Sequence, residues 1–158
     1  MKLSPPIKDI GSQPISYGGW EIFISQKFGN VWISQIDQVM GGKQVKKGDN
    51  VYLKMFGMIG HNGVDIAAPK GTPIYAAHDG WIVEADGSAS YGIKTALYFK
   101  ADGKEWMLLH GHLDNYNPLP KIRWNLKDRS HPVKQGDKIG EVDSTGFSNG
   151  HHLHWGLY

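Results

Sequence analysis

Three stretches of this chain carry residues whose types and spacing can do chemistry. Eight histidines are present, at 61, 78, 110, 112, 131, 151, 152 and 154. His152 and His154 flank Leu153, so in an extended strand both imidazoles project from one face and Leu153 from the other. A buried strand has little reason to set two titratable rings side by side unless a metal or a catalytic cleft receives them. His61-Asn62-Gly63-Val64-Asp65 puts an imidazole and a carboxylate four positions apart, on the same side of a strand or a helical turn. Both groups bind divalent zinc at about 2.0–2.2 Å. Gly60 and Gly63 bracket the pair and are expected to let the backbone bend so that the two ligands converge. His110-Gly111-His112-Leu113 places His112 where a strand gives way to a loop, a common position for catalytic groups. His110 is read as sitting beside any cleft rather than in it. His78, before an Asp-Gly turn, and His131, before a proline, read as surface residues. Each motif alone is short; their joint presence is what carries weight.

The elements that must position these residues read as β-strands. Short β-rich runs follow one another from Val64 to Ala68, Pro73 to Ala77 and Gly80 to Asp86, separated by PKG and HDG turns. Gly92 to Lys100 and Lys104 to Leu113 read as a hairpin closed by Ala101-Asp102-Gly103. In its second strand, strict alternation places Trp106, Leu108, His110 and His112 on one face, with Met107, Leu109 and Leu113 on the other. Upstream, Trp20 to Ser25 is a strand, Val51 to Lys54 reads as another short one, and GGKQVKKGDN as a solvated loop. Residues 115 to 130 form a long insertion with Pro118 and Pro120, of the kind that often makes a functional rim. The chain closes on HHLHWGLY. No segment shows a helical period and no repeat is found. The expectation is an all-β fold: a compact antiparallel sheet or open barrel-like domain with a groove, short turns and long rim loops. Residues 1–17 read as an irregular lead-in and 18–158 as a single domain.

Bulk properties narrow the alternatives. The 17 basic and 15 acidic residues leave a net charge of +2, and no Lys/Arg run suggests nucleic-acid binding. With no cysteine, neither disulfides nor a thiolate metal site is possible. No stretch is apolar enough to span a bilayer, and the N-terminus lacks the apolar core of a secretory signal. Twenty-one glycines exceed the usual share of about 7% and suit a chain that turns often.

From Gly57 onward the chain resembles the lysostaphin-like (LytM-type) zinc metallopeptidases of peptidoglycan. The resemblance lies in GHNGVDIAAPKGTPIYAAHDGWIVEA, LLHGHLDN and VKQGDKIGEVDSTGFSNGHHLHWGL, with ISQKFG as the family's opening strand. It implies His61, Asp65 and His154 as Zn2+ ligands, and His112 and His152 as catalytic histidines. It implies hydrolysis of peptide bonds in stem peptides or cross-bridges by zinc-activated water. The partner is then a peptidoglycan peptide, with no nucleic acid and no membrane insertion, and the domain is expected to be monomeric. Action is expected at the cell wall, extracellular, periplasmic or virion-associated as in a phage lysin, by a route other than a visible signal. His110 and Gly111 stand where the family carries tyrosine and alanine, and His151 where it carries a small residue or proline. Neither departure touches an expected ligand, and both are expected to reshape the cleft rim. The rival readings are an inactive relative acting as a binding or activator module, and a biotinyl/lipoyl-type carrier. The carrier lacks the lysine–methionine hairpin tip it needs. The aromatic residues Tyr75, Trp81, Tyr91 and Trp155 read as packing residues, with Tyr116 and Trp124 as those facing substrate.

Overall fold

The computed structural model describes residues 1–8, 15–17, 20–114 and 118–158, with side chains from residue 24 onward apart from the N-terminal eight. The expected lead-in therefore falls partly outside the described residues, as does Tyr116. The strands are β1 (Ile15–Tyr17), β2 (Trp20–Gln26), β3 (Gln38–Met40), β4 (Lys43–Val45), β5 (Val64–Ala67), β6 (Pro73–Tyr75), β7 (Gly80–Ser88), β8 (Gly92–Ala101), β9 (Lys104–Leu113), β10 (Pro132–Val133), β11 (Lys138–Glu141) and β12 (His152–Leu157). Eight of them form one antiparallel sheet in the order β1-β2-β5-β12-β9-β8-β7-β10. The fold is mostly β, as expected. Among the described residues no helix is long and apolar enough to cross a membrane.

The β8–β9 hairpin closes on a two-residue turn, with Ala101 paired to Lys104 and Asp102 and Gly103 both at positive φ (51° and 71°). This is the geometry that matches the twist of the flanking strands, and Asp-Gly adopts it at low cost. One face of the sheet packs on the pair β6–β11: Leu97, Phe99, Leu108 and Leu153 meet Ile74, Ile139 and Val142 in a single buried cluster. Ile7 joins that core, and the adjoining segment is tied in by Ser4 N–H to the Ala77 carbonyl (2.9 Å) and Tyr75 N–H to the Pro6 carbonyl (2.7 Å). The opposite face carries a smaller cluster around Val83, Ala96 and Tyr98, with the Arg129 guanidinium 4.2 Å above the Tyr98 ring.

Three expectations are corrected. Val51 to Phe56 is a helix, α1, not a strand. The Asn50 side chain accepts from the Tyr52 and Leu53 amides and Gly57 closes the other end in the left-handed conformation, so capping sets its limits. Six residues are too few to display a period. The segment read as a loop, residues 41–50, contains β4, which pairs with β3 just before it as a hairpin around Gly41–Gly42. The insertion after Pro118 is not a free rim: it runs beside β7, with Ile122 bridging Ala85 and the Asn125 amide on the Val83 carbonyl (3.0 Å). Ile122 is buried in the main core. An otherwise bare sheet edge is covered in this way.

Candidate metal centre

The site is built where β5, β12 and β9 lie side by side. Asp65 on β5 pairs with His154 on β12, which pairs in turn with Gly111 on β9. Alternation along β12 sends His152 and His154 to the site face while Leu153 enters the core. His61 arrives from the loop before β5. Its backbone N–H bonds to the Asn30 carbonyl and its own carbonyl accepts from the Gly29 amide, both at 2.8 Å.

Three buried atoms converge. Asp65 Oδ1 lies 3.0 Å from His61 Nε2 and 2.9 Å from His154 Nδ1, and the two nitrogens are 3.1 Å apart. His61 Nδ1 is 3.3 Å from the Lys27 carbonyl, a contact that places the proton on Nδ1 and leaves the Nε2 lone pair facing inward. One proton, on His154 Nδ1, then has to serve all three contacts. A triangle of two nitrogens and an oxygen is poorly satisfied by hydrogen bonds alone, and a cation at its centre satisfies it. Zinc ligands at about 2.0–2.2 Å in a tetrahedron stand about 3.3 Å apart or slightly more, a little wider than this triangle. The donor set fits the ion. Among the described residues this is the one group of histidines and acids arranged to hold a metal.

Burial alone would raise the Asp65 carboxyl, but its contacts with the His154 and His61 rings, with the nearby His152, outweigh it and hold the group well below the usual carboxylate range. Burial pushes the His154 imidazole down, against the pull of Asp65. Both shifts leave these side chains in the forms a cation needs: an ionised carboxylate and a neutral imidazole.

His112 and His152 face the same point. Their ring centroids are 4.6 Å apart, and His152 Nε2 is 3.6 Å from the second oxygen of Asp65. Each donates Nδ1–H to a backbone carbonyl, His112 to Thr145 and His152 to Gly150, both at 2.8 Å. Each therefore turns Nε2 toward the cleft. Burial lowers the His112 pKa to about 4, so the ring is neutral in neutral solution.

His112 reaches this position through an irregularity. Between Thr95 and Ile93 the partner strand β9 advances three residues to β8's two, and His112 stands at φ 62°. A β-bulge with a left-handed residue reverses the alternation. His110 and Leu113 accordingly fall on the core side, the former fully buried, while His112 turns outward. The expected face assignment is correct as far as His110 and fails beyond it. His110 Nδ1 meets the Thr95 carbonyl at 3.3 Å, and the ring is outside the cleft lining.

Gly63 acts through space rather than through bending. Its φ is ordinary, but a Cβ there would lie 2.7–2.8 Å from His154 ring atoms and the Trp155 carbonyl. Gly60 likewise faces the Gly29 carbonyl at 2.7 Å.

Other residues of the site carry no local sequence signal. Tyr52, on α1, stacks on His61 at 5.6 Å, and burial and the Asp65 charge push its hydroxyl up to about 12. Tyr91, expected to be a packing residue, lies 5.2 Å from the His154 ring and accepts from the Asn62 amide (2.7 Å). The cleft has a volume of about 690 Å³ and is walled by Trp32, Phe56 and Phe147 beyond the histidines. Phe56 and Phe147 meet edge-on at 5.2 Å. Trp124 is absent from this lining and lines a second cavity.

Comparison with known proteins agrees with this geometry. The family model for Peptidase family M23 matches residues 59–158. The chain is 39% identical over 98 residues to the glycyl-glycine endopeptidase ALE-1 of Staphylococcus capitis, a match covering 60% of this chain and 24% of the relative. It is 37% identical over 95 residues to the DD-carboxypeptidase/endopeptidase Mpg of Neisseria meningitidis serogroup B, covering 60% and 19%. The solved catalytic domain of the antimicrobial peptidase lysostaphin from Staphylococcus simulans superimposes with a TM-score of 0.50 at 35% identity, covering 62% of this chain and 66% of that one. The matched region thus spans about a quarter or less of the two curated relatives. A His-Asp-His cluster on this sheet, within a match that takes in most of the chain, has one reading: the chain belongs to Peptidase family M23, with a lysostaphin/LytM-like catalytic domain.

Proposed function

We propose that this protein is a zinc-dependent endopeptidase that hydrolyses peptide bonds in the stem peptides or cross-bridges of peptidoglycan, acting at the cell wall, and that residues 18–158 form its peptidase domain. One observation carries the reading: three buried ligand atoms lie about 3 Å from one another, with two further histidines turning Nε2 toward them. The relatives named above are endopeptidases by description, and the family acts on the cell wall.

His61, Asp65 and His154 hold the ion. When bound, zinc supplies a Lewis acid and lowers the pKa of a coordinated water from 15.7 to about 7. Three protein ligands would be the number that catalytic rather than structural zinc sites use. Nε2 of His112 or His152 takes a proton from the attacking water, and the imidazolium so formed donates that proton toward the oxyanion of the tetrahedral intermediate. Their Nδ1–H bonds to Thr145 and Gly150 hold each ring in the required tautomer before substrate arrives. Tyr52 holds the His61 ring by stacking, and the aromatic walls exclude water from the scissile bond.

The test is digestion of purified cell walls of two cross-bridge types, with mass spectrometry of the products and metal analysis of the protein. One zinc per chain and new peptide termini, both lost on chelation, are expected. A zinc-loaded protein that releases no fragment from either wall would instead make it an inactive relative.

A further inference from the structure

We propose that the cavity on the far side of Tyr91 from the metal centre is a saccharide-binding subsite. It lies on the same face of the sheet as the histidine cluster. Met107 and Leu109, which line it, alternate in phase with Gly111, and Gly111 faces Tyr91 and the His154 side chain. Its volume is about 360 Å³, inside the range of about 300–1,000 Å³ usual for small-molecule sites. Asn62 and Tyr91 line both cavities. The Asn62 amide donates to the hydroxyls of Tyr91 and Tyr158, each at 2.7 Å, and makes a thin polar partition between the two cavities.

The chemistry of this cavity selects its occupant. Trp124 stands at the rim, 51% exposed. Its backbone is anchored on both sides, by the Ile122–Ala85 bridge and by the Asn125 amide on Val83, so the indole is presented rather than left to wander. An aromatic face carries a negative quadrupole that attracts weakly positive C–H groups, and the flat faces of a pyranose ring are made of such groups. Glu84 and Lys94 pair at 2.5 Å, both largely buried. Their charges cancel, so a charged peptide terminus gains nothing there. The pair still offers carboxylate and ammonium hydrogen-bonding capacity, which neighbouring sugar hydroxyls can use together. A purely apolar ligand would strip water from that pair without replacing it. An uncharged aromatic pocket with a paired donor and acceptor suits a neutral polyol ring. The peptidase reading enters only in the source of that ring: the glycan strand whose peptide crosses the adjoining metal centre.

The test uses a peptide-free N-acetylglucosamine tetrasaccharide titrated into the full chain by NMR, with the Trp124 indole signal assigned from a variant. Saturable binding that shifts this signal is expected. Trp124→Ala should weaken it about five-fold or more, and Trp124→Phe, which keeps an aromatic face, should weaken it less. No binding by the parent chain, or undiminished binding by Trp124→Ala, overturns the proposal. So does a glycan-free stem peptide that shifts the Trp124 signal more than the sugar does. Binding is read without turnover. A chain that binds the sugar but cleaves nothing sinks the peptidase reading alone, and one that cleaves without binding it sinks this one alone.

Discussion

Two strands deliver histidines to the same cleft by opposite means. β12 does so by regular alternation: His152 and His154 go to the site and Leu153 to the core, in unbroken register with β5. β9 does so by breaking alternation, with a bulge and a histidine held at φ 62°. His152 and His154 need only the right side of a straight strand. His112 has to approach from a neighbouring strand without occupying the ligand position, and an extra residue re-aims it. Left-handed backbone in a non-glycine residue costs about 1–3 kcal/mol and concentrates at functional sites. The strain sits on His112, one of the two histidines proposed to be catalytic, and on none of the three proposed ligands.

Substitutions can break this contrast at either strand. His154→Ala should have the largest effect: zinc content falls below about a tenth of an equivalent, and wall hydrolysis drops more than about 10³-fold, the several kcal/mol a metal supplies. His112→Ala should keep one zinc per chain and lose about 10²–10⁴ in turnover; metal analysis beside a rate assay separates the two. If His112→Ala also emptied the site, the division between the strands would be wrong. Gly63→Ala pushes on the His154 ring, and its zinc affinity, measured by competition with a chelator, should fall about 10–100-fold.

A subtler contrast lies in stability. At position 112 glycine should be more stable than alanine by about 1 kcal/mol, because only glycine adopts that φ freely. At position 152, on a regular strand, alanine should win by about 0.5–1 kcal/mol. Denaturant midpoints of the four variants decide it, and the same sign at both positions would remove the bulge from the argument. The smallest effect at neutral pH concerns His110, whose pKa burial lowers to about 4 from an unperturbed value near 6.5. The folded state takes up this proton less readily than the unfolded chain. Stability is therefore unaffected above about pH 6.5 and is lost as pH falls toward 4. His110→Leu should flatten that part of the acid-unfolding curve.

What could be read from the chain follows the same division. His152 and His154, the His61–Asp65 spacing and the Asp102-Gly103 turn are local patterns with a fixed geometric meaning, and the structure brings the three expected ligands to one point. The bulge at His112 leaves no such mark, because Gly111 before a histidine is equally at home in a plain strand. α1 has a cap but no room for a period. Tyr52, Tyr91 and the Thr145 carbonyl enter the site from other elements, and their roles exist only once the sheet has closed. The insertion misled for a related reason. Prolines and polar residues describe an irregular path but do not say that the path lies against a strand.

That path has a consequence for how the protein can change. Segment 122–133 shields the margin of the sheet through backbone contacts and two buried residues at its ends, Ile122 and Val133. Backbone hydrogen bonds are largely indifferent to the identity of the intervening side chains. Position 124 and its neighbours are thus free to be rewritten while the margin stays guarded against pairing with another molecule. Resistance to self-association and the choice of what is gripped are separated within a dozen residues, so selection can alter the second without endangering the first.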